Sequence, residues 1–128
     1  MHIRLALILL MFITACADNY GKHIQVGNVT VYYTDNVSKD LANEFIDYWV
    51  AHEFNGQRPQ YMQLSKLDNE IRLKLIASDS TFLTDIPFET QLMLVELESE
   101  LKKNVFQQYA FRIVLSDNQF NKYNSITD

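Results

Sequence analysis

Apolar residues first run without interruption from Leu5 to Ile13 (LALILLMFI), behind a start that carries Arg4. After Gly21 the pattern changes to alternation. Val29 to Thr34 (VTVYYT) mixes β-branched and aromatic residues and predicts a strand, whose pattern reaches back to Ile24 across Gly27-Asn28. Ser38 then stands as an N-cap, with Asp40 near the positive end of a helix. Leu41, Ala42, Phe45, Ile46, Trp49 and Val50 give that helix an apolar stripe. Asn55-Gly56 supplies its stop.

Pro59 to Leu67 and Glu70 to Ala77 predict two strands joined at Asp68-Asn69, a short hairpin turn. Ser78 to Thr84 reads as a polar loop. Asp85 or Thr84 caps a second helix, with Pro87 in its first turn, where a missing N–H costs nothing. Phe88, Leu92, Val95, Leu101 and Val105 recur there at helical spacing. Glu98 and Lys102 stand as an i,i+4 pair, and Lys102 and Lys103 suit the negative end of the helix. Tyr109 to Leu115 is a last strand, followed by a polar, Asn-rich stretch.

The order β-α-β-β-α-β predicts a single α+β domain. Two split βαβ units of this kind point to a ferredoxin-like antiparallel sheet with both helices on one face. The expected layout is a signal at residues 1–15, a lipidated cysteine and tether at 16–25, the domain at 26–117 and a polar tail at 118–128.

The apolar run at the start is too short to remain in a bilayer. At 1.5 Å per residue, nine to eleven residues cover about half of a ~30 Å hydrocarbon core. A charged start, an apolar run and a small-residue zone make an export signal instead. Ile13-Thr14-Ala15-Cys16 resembles the lipobox of bacterial lipoproteins, an aliphatic residue and two small ones ahead of a cysteine. The resemblance implies cleavage before Cys16, diacylglycerol on its thiol and acylation of its new amino group. Ordinary secretion is the alternative, since Ala15-Cys16-Ala17 also satisfies the small-x-small rule. Cys16 is the only cysteine, so no disulfide forms within one chain, and acylation accounts for the odd thiol. Two or three acyl chains hold a protein at a membrane essentially permanently, whereas one does not. An extended tether from Ala17 to Gln25 reaches at most about 30 Å, which keeps the domain close to the membrane.

Charge then narrows the partners. Arg4 is the only charged residue ahead of Cys16, apart from the histidine at position 2. The remaining chain carries 10 Lys+Arg against 16 Asp+Glu, a formal charge of −6. An acidic exported domain is poorly suited to nucleic acid, whose binding rests on neutralised phosphates. Val31 to Ala42 (VYYTDNVSKDLA) and Asp117-Asn-Gln-Phe120 are similar to the opening and closing segments of small uncharacterised bacterial modules. That resemblance implies a fold and no activity.

Motifs for chemistry are incomplete. His52-Glu53-Phe54-Asn55-Gly56 begins like a zinc-protease helix, but Gly56 stands where the second histidine ligand belongs. His52 is expected to complement a helix C-terminus. His23 falls in the tether without other ligands nearby. No Gly-x-Ser-x-Gly is present, and three glycines in the chain do not make a phosphate-cradling loop. Asp40, Glu44 and Asp47 on the first helix, and Glu96 and Glu100 on the second, form rows that a solvated helix face also produces. A calcium site needs six or more converging oxygens. No metal and no cofactor is therefore expected.

One constellation remains. If the helices cover the face bearing Val31, Leu73 and Ile113, the opposite face carries Tyr32, Arg72, Lys74 and Arg112. A cationic patch with an aromatic then stands on an otherwise acidic domain, suited to an acidic peptide or an anionic ligand. A merely solvated sheet face gives the same alternation. The expected function is a non-catalytic binding module, lipid-anchored at the cell envelope and facing the periplasm or exterior. An envelope immunity or inhibitor protein and a small periplasmic hydrolase are the alternatives.

Overall fold

The computed structural model describes residues 20–121 and 123–125. Cys16 and the signal at 1–15 lie outside the described residues. The elements are β1 (Lys22–Val26), β2 (Val29–Tyr33), α1 (Lys39–Ala51), β3 (Gln60–Leu67), β4 (Glu70–Ile76), a 3₁₀ turn (Ser80–Leu83), α2 (Phe88–Asn104), β5 (Ala110–Ser116) and β6 (Tyr123–Ser125). Among the described residues no helix is long and apolar enough to cross a membrane.

The α+β class and the strand–helix–strand–strand–helix–strand order stand, with one additional strand at each end. The antiparallel ferredoxin-like sheet does not. Six strands lie side by side in chain order. β1–β2, β3–β4 and β5–β6 are antiparallel hairpin pairs, whereas β2–β3 and β4–β5 are parallel neighbours joined through the helices. The reason is that a strand has two edges. The Gly27-Asn28 turn folds β1 back onto one edge of β2, and β3 takes the other. No edge of β2 is left for the last strand, which a ferredoxin-like order would require.

These pairings also move two boundaries. Residues 22–25 belong to β1, so the stretch 16–25 is not tether throughout, and β6 takes 123–125 out of the expected tail.

Register places Tyr33, Leu64, Leu73 and Ile113 in one row across β2 to β5, and Val31, Met62, Leu75 and Leu115 in the next. Both helices pack on this face, with Phe45, Ile46 and Trp49 of α1 and Leu94 and Leu101 of α2 in a single buried cluster with it. The expected stripe of α1 is thus the buried one. Ser38 Oγ accepts the Leu41 N–H, which makes it the N-cap as expected.

The end of α1 is set one turn before Gly56. Glu53 adopts φ 60°, its N–H donates to Val50 O, and the Phe54 N–H donates to Trp49 O. This is a Schellman closure, completed by the Trp49–Phe54 ring contact at 5.1 Å. Glutamate, not glycine, takes the left-handed position.

In α2 the structure corrects the sequence reading at both the cap and the stripe. Pro87 occupies the N-cap position and no side chain caps the helix, so neither Thr84 nor Asp85 does so. Of the expected stripe, Leu101 is buried and Val105 packs against the core, whereas Phe88, Leu92 and Val95 are exposed, at 70%, 52% and 46%. Leu94 and the half-buried Leu97 join Leu101 facing the sheet instead. The helix carries two apolar faces, and the sheet covers only one.

Glu98 and Lys102 serve the backbone instead of each other. Glu98 Oε1 accepts the Ile113 N–H at 2.8 Å, just ahead of the three β5 residues that β6 pairs with. The Lys102 ammonium donates to the carbonyls of Phe106, Gln107 and Tyr109 beyond the end of α2. Replacing Glu98 by alanine orphans a buried strand donor and is expected to cost about 1–3 kcal/mol. Glu98→Gln, which keeps an acceptor, should recover most of that in urea unfolding. Equal stability of the two variants would contradict the edge-capping role.

Candidate functional site

The sheet face away from the helices is where the sequence reading places Tyr32, Arg72, Lys74 and Arg112, and the structure puts all four there. Tyr32 pairs with Gln63, Gln63 with Lys74, and Lys74 with Val114, while Arg72 lies directly opposite Arg112 on the next strand. Period-two alternation fixed which face each side chain takes; the sheet pairing brought them side by side.

Like charges opposite each other across a ladder repel. Glu70, two residues before Arg72 and on the same face, relieves this. Its Oε2 meets Arg72 Nε and its Oε1 meets Arg112 Nε, both at 3.2 Å, with all three side chains partly exposed. Glu70 was not among the expected site residues. The signal was present in Glu70-x-Arg72-x-Lys74, where period two sets one carboxylate beside two cations.

The face is less open than alternation implies. Thr30, Gln63, Val114 and Ser116 point to this side and are buried. Two segments reach over this face. Asp117 Oδ1 accepts the N–H groups of Gln119 and Asn121, closing a turn that holds Phe120 at φ 59° over the sheet. From the other end of the domain comes Tyr20, whose carbonyl accepts a hydrogen bond from Gln63 Nε2 at 3.0 Å. The Tyr20 ring sits edge-on to Tyr32 at 5.4 Å and to Phe120 at 5.5 Å. A small aromatic cluster therefore replaces the single expected aromatic. Neither Tyr20 nor Phe120 had a local signal, because the contact joins residues about a hundred positions apart.

Beside this cluster runs a groove of about 600 Å³, lined by Tyr20, Thr34, Gln63, Ser65, Lys74 and the 119–121 turn. Lys74 lies half-buried in it and donates to Phe120 O at 3.2 Å. Burial, and then Arg72 beside it, pull the Lys74 ammonium below the usual lysine range, while Asp117 acts the other way. The described groups of this groove are suited to holding an anion through hydrogen bonds from an ammonium, amides and hydroxyls.

The remaining candidates do not come together. His52 caps α1, stacks on Tyr48 at 3.9 Å between ring centroids, and approaches Tyr48 O at 2.9 Å through Nδ1. His23 is on β1, 5.8 Å from the Tyr32 ring. Asp40 and Glu44 line a separate cavity of about 350 Å³ between the start of α1 and the end of α2. Glu96 and Glu100 border a groove between the helices. Among the described residues no group of three or more His, Cys, Asp or Glu side chains is arranged to hold a metal ion.

Residues 23–128 match the family model described as the AF_1994_N family N-terminal domain, which spans every element above except the first residue of β1. No curated protein and no solved structure matches the chain.

Proposed function

We propose that this chain, which belongs to the family described as the AF_1994_N N-terminal domain, is a non-catalytic binding module held at the bacterial cell envelope by lipid on Cys16. Its sheet face receives an acidic peptide or a small anionic ligand.

One observation carries the reading: three cations, Arg72, Lys74 and Arg112, share a face with the Tyr20–Tyr32–Phe120 rings on a chain of net charge −5. Charge-assisted hydrogen bonds are the strong ones, and a partly desolvated ammonium beside apolar rings offers a site that a water-exposed lysine does not. Glu70 keeps Arg72 and Arg112 in place until an anionic group competes for them.

The anchor and the site are tested separately. A palmitate probe should label the protein expressed in bacteria and fail to label Cys16→Ser. Label retained by that variant would overturn the anchor. For the site, a short fluorescent oligoglutamate peptide should bind the wild-type domain. Arg72→Glu/Arg112→Glu, shown to be folded by circular dichroism, should weaken that binding by at least about tenfold. Unchanged affinity would remove the sheet face from consideration.

A further inference from the structure

The helix layer carries a second surface, on the other side of the sheet from the cationic groove. Seven carboxylates and three lysines lie on the two helices, so this layer is acidic where the far sheet face is basic. Within it, a cavity of about 460 Å³ opens between α1 and α2. Trp49 and Phe54 wall one side, held together by the Schellman closure. Met93 and Leu97 wall the other, and the half-buried Leu75 of β4 shows through as the floor. Met93 is 60% exposed, a large apolar side chain facing water at the mouth.

The rim is charged with one sign. Glu96 and Glu100 line the groove and no lysine or arginine does. Being i and i+4 on α2, they stand about 6 Å apart along its axis. The field of Glu100 reaches across to α1, where burial and that carboxylate together raise the Tyr48 phenol above its ordinary value.

An apolar trough between two helices, bordered by carboxylates one turn apart, is complementary to an amphipathic helix bearing basic residues one turn apart. We propose that this groove docks a helical segment of a partner protein, apolar on one side and flanked there by lysine or arginine at i,i+4 spacing.

Charge disfavours the other occupants. A second copy joined groove to groove sets Glu96 and Glu100 against their own equivalents, because a two-fold contact uses the same patch twice. A copy presenting its exposed Phe88, Leu92 and Val95 brings Glu89 and Glu96 with them. An anionic bilayer meets the same repulsion.

The protein provides its own reporter, since Trp49 is the only tryptophan in the chain and lies in the groove wall. The probe is a short helical peptide of leucine and lysine, with a leucine–glutamate peptide of the same pattern as control. The leucine–lysine peptide should shift Trp49 emission saturably, and the leucine–glutamate peptide should not. Glu96→Gln/Glu100→Gln should weaken the interaction by at least about tenfold. Asp40→Asn/Glu44→Gln, which removes the same charge from the separate cavity, should change it by less than about threefold. The proposal is overturned if both pairs weaken binding alike, since net charge alone then explains it. It is equally overturned if no saturable shift occurs, if the glutamate peptide shifts emission as well, or if neutral vesicles alone do so. A shift that grows with protein concentration in the absence of peptide would assign the groove to a second copy.

Discussion

Phe45→Ala is expected to cost about 3–5 kcal/mol, the range for removing a fully buried phenylalanine. Phe45 has no solvent exposure. Its ring lies 5.5 Å from Trp49 and 5.9 Å from Phe106, and Phe106 stacks on Phe111 at 4.4 Å. These four rings tie α1, the connection after α2 and β5 into one apolar body. Deleting the Phe45 ring leaves a cavity that rigid neighbours cannot close, and the aromatic pair contacts are lost in addition. At about 4–8 °C per kcal/mol for a domain near a hundred residues, the midpoint should fall by roughly 20 °C. A loss of that size is a large part of a total stability of about 5–15 kcal/mol. Calorimetry of the folded domain checks it. A midpoint within about 5 °C of wild type would mean that this ring is not the centre of the core.

Gly21→Ala is the second large effect, expected at about 3 kcal/mol from backbone strain and a lost hydrogen bond. Gly21 has φ 94°, and a Cβ there would stand 2.4 Å from Tyr33 O and 2.9 Å from Tyr33 C. Both atoms are backbone, so neither can swing aside. Relief requires β1 to move off β2 at the Lys22–Tyr33 end of the ladder. Tyr20 moves with it, and the buried Gln63 amide then loses its acceptor. Gly27→Ala is the control, because Gly27 has φ 58° but nothing within 4 Å of a new Cβ. It should cost about 1–2 kcal/mol for the left-handed conformation alone. Urea unfolding of the two variants measures the difference. If they are equally stable, close approach of Gly21 to Tyr33 is not what requires glycine there. Because Tyr20 lines the cationic groove, Gly21→Ala should also weaken oligoglutamate binding, while Gly27→Ala leaves it intact.

Local chemistry determined a large part of this protein. Alternation in Val29–Tyr33, Glu70–Ile76 and Ala110–Ser116 defined strands, and Ser38 with the Leu41–Val50 stripe defined the first helix. The same alternation assigned Tyr32, Arg72, Lys74 and Arg112 to a common face once the buried face was known. Such features are legible because a period of two or 3.6 is a property of neighbouring residues.

Tertiary structure decided the remainder. Which strands adjoin depends on the edges that hairpins leave unused, and no residue in β2 states that β1 and β3 will take both. In α2, the stripe Phe88–Leu92–Val95 and the stripe Leu94–Leu97–Leu101 both have helical spacing. The sheet selects the second, and the choice depends on how the helix is rotated against it. The aromatic cover over the cationic face joins Tyr20 to Phe120 across almost the whole described chain. Glu70 lies between two arginines only because β4 and β5 pair in the register that sets Arg72 opposite Arg112. Periodicity thus determined which way each side chain points, and long-range pairing determined what it meets, because contact between distant segments is a property of the assembled sheet.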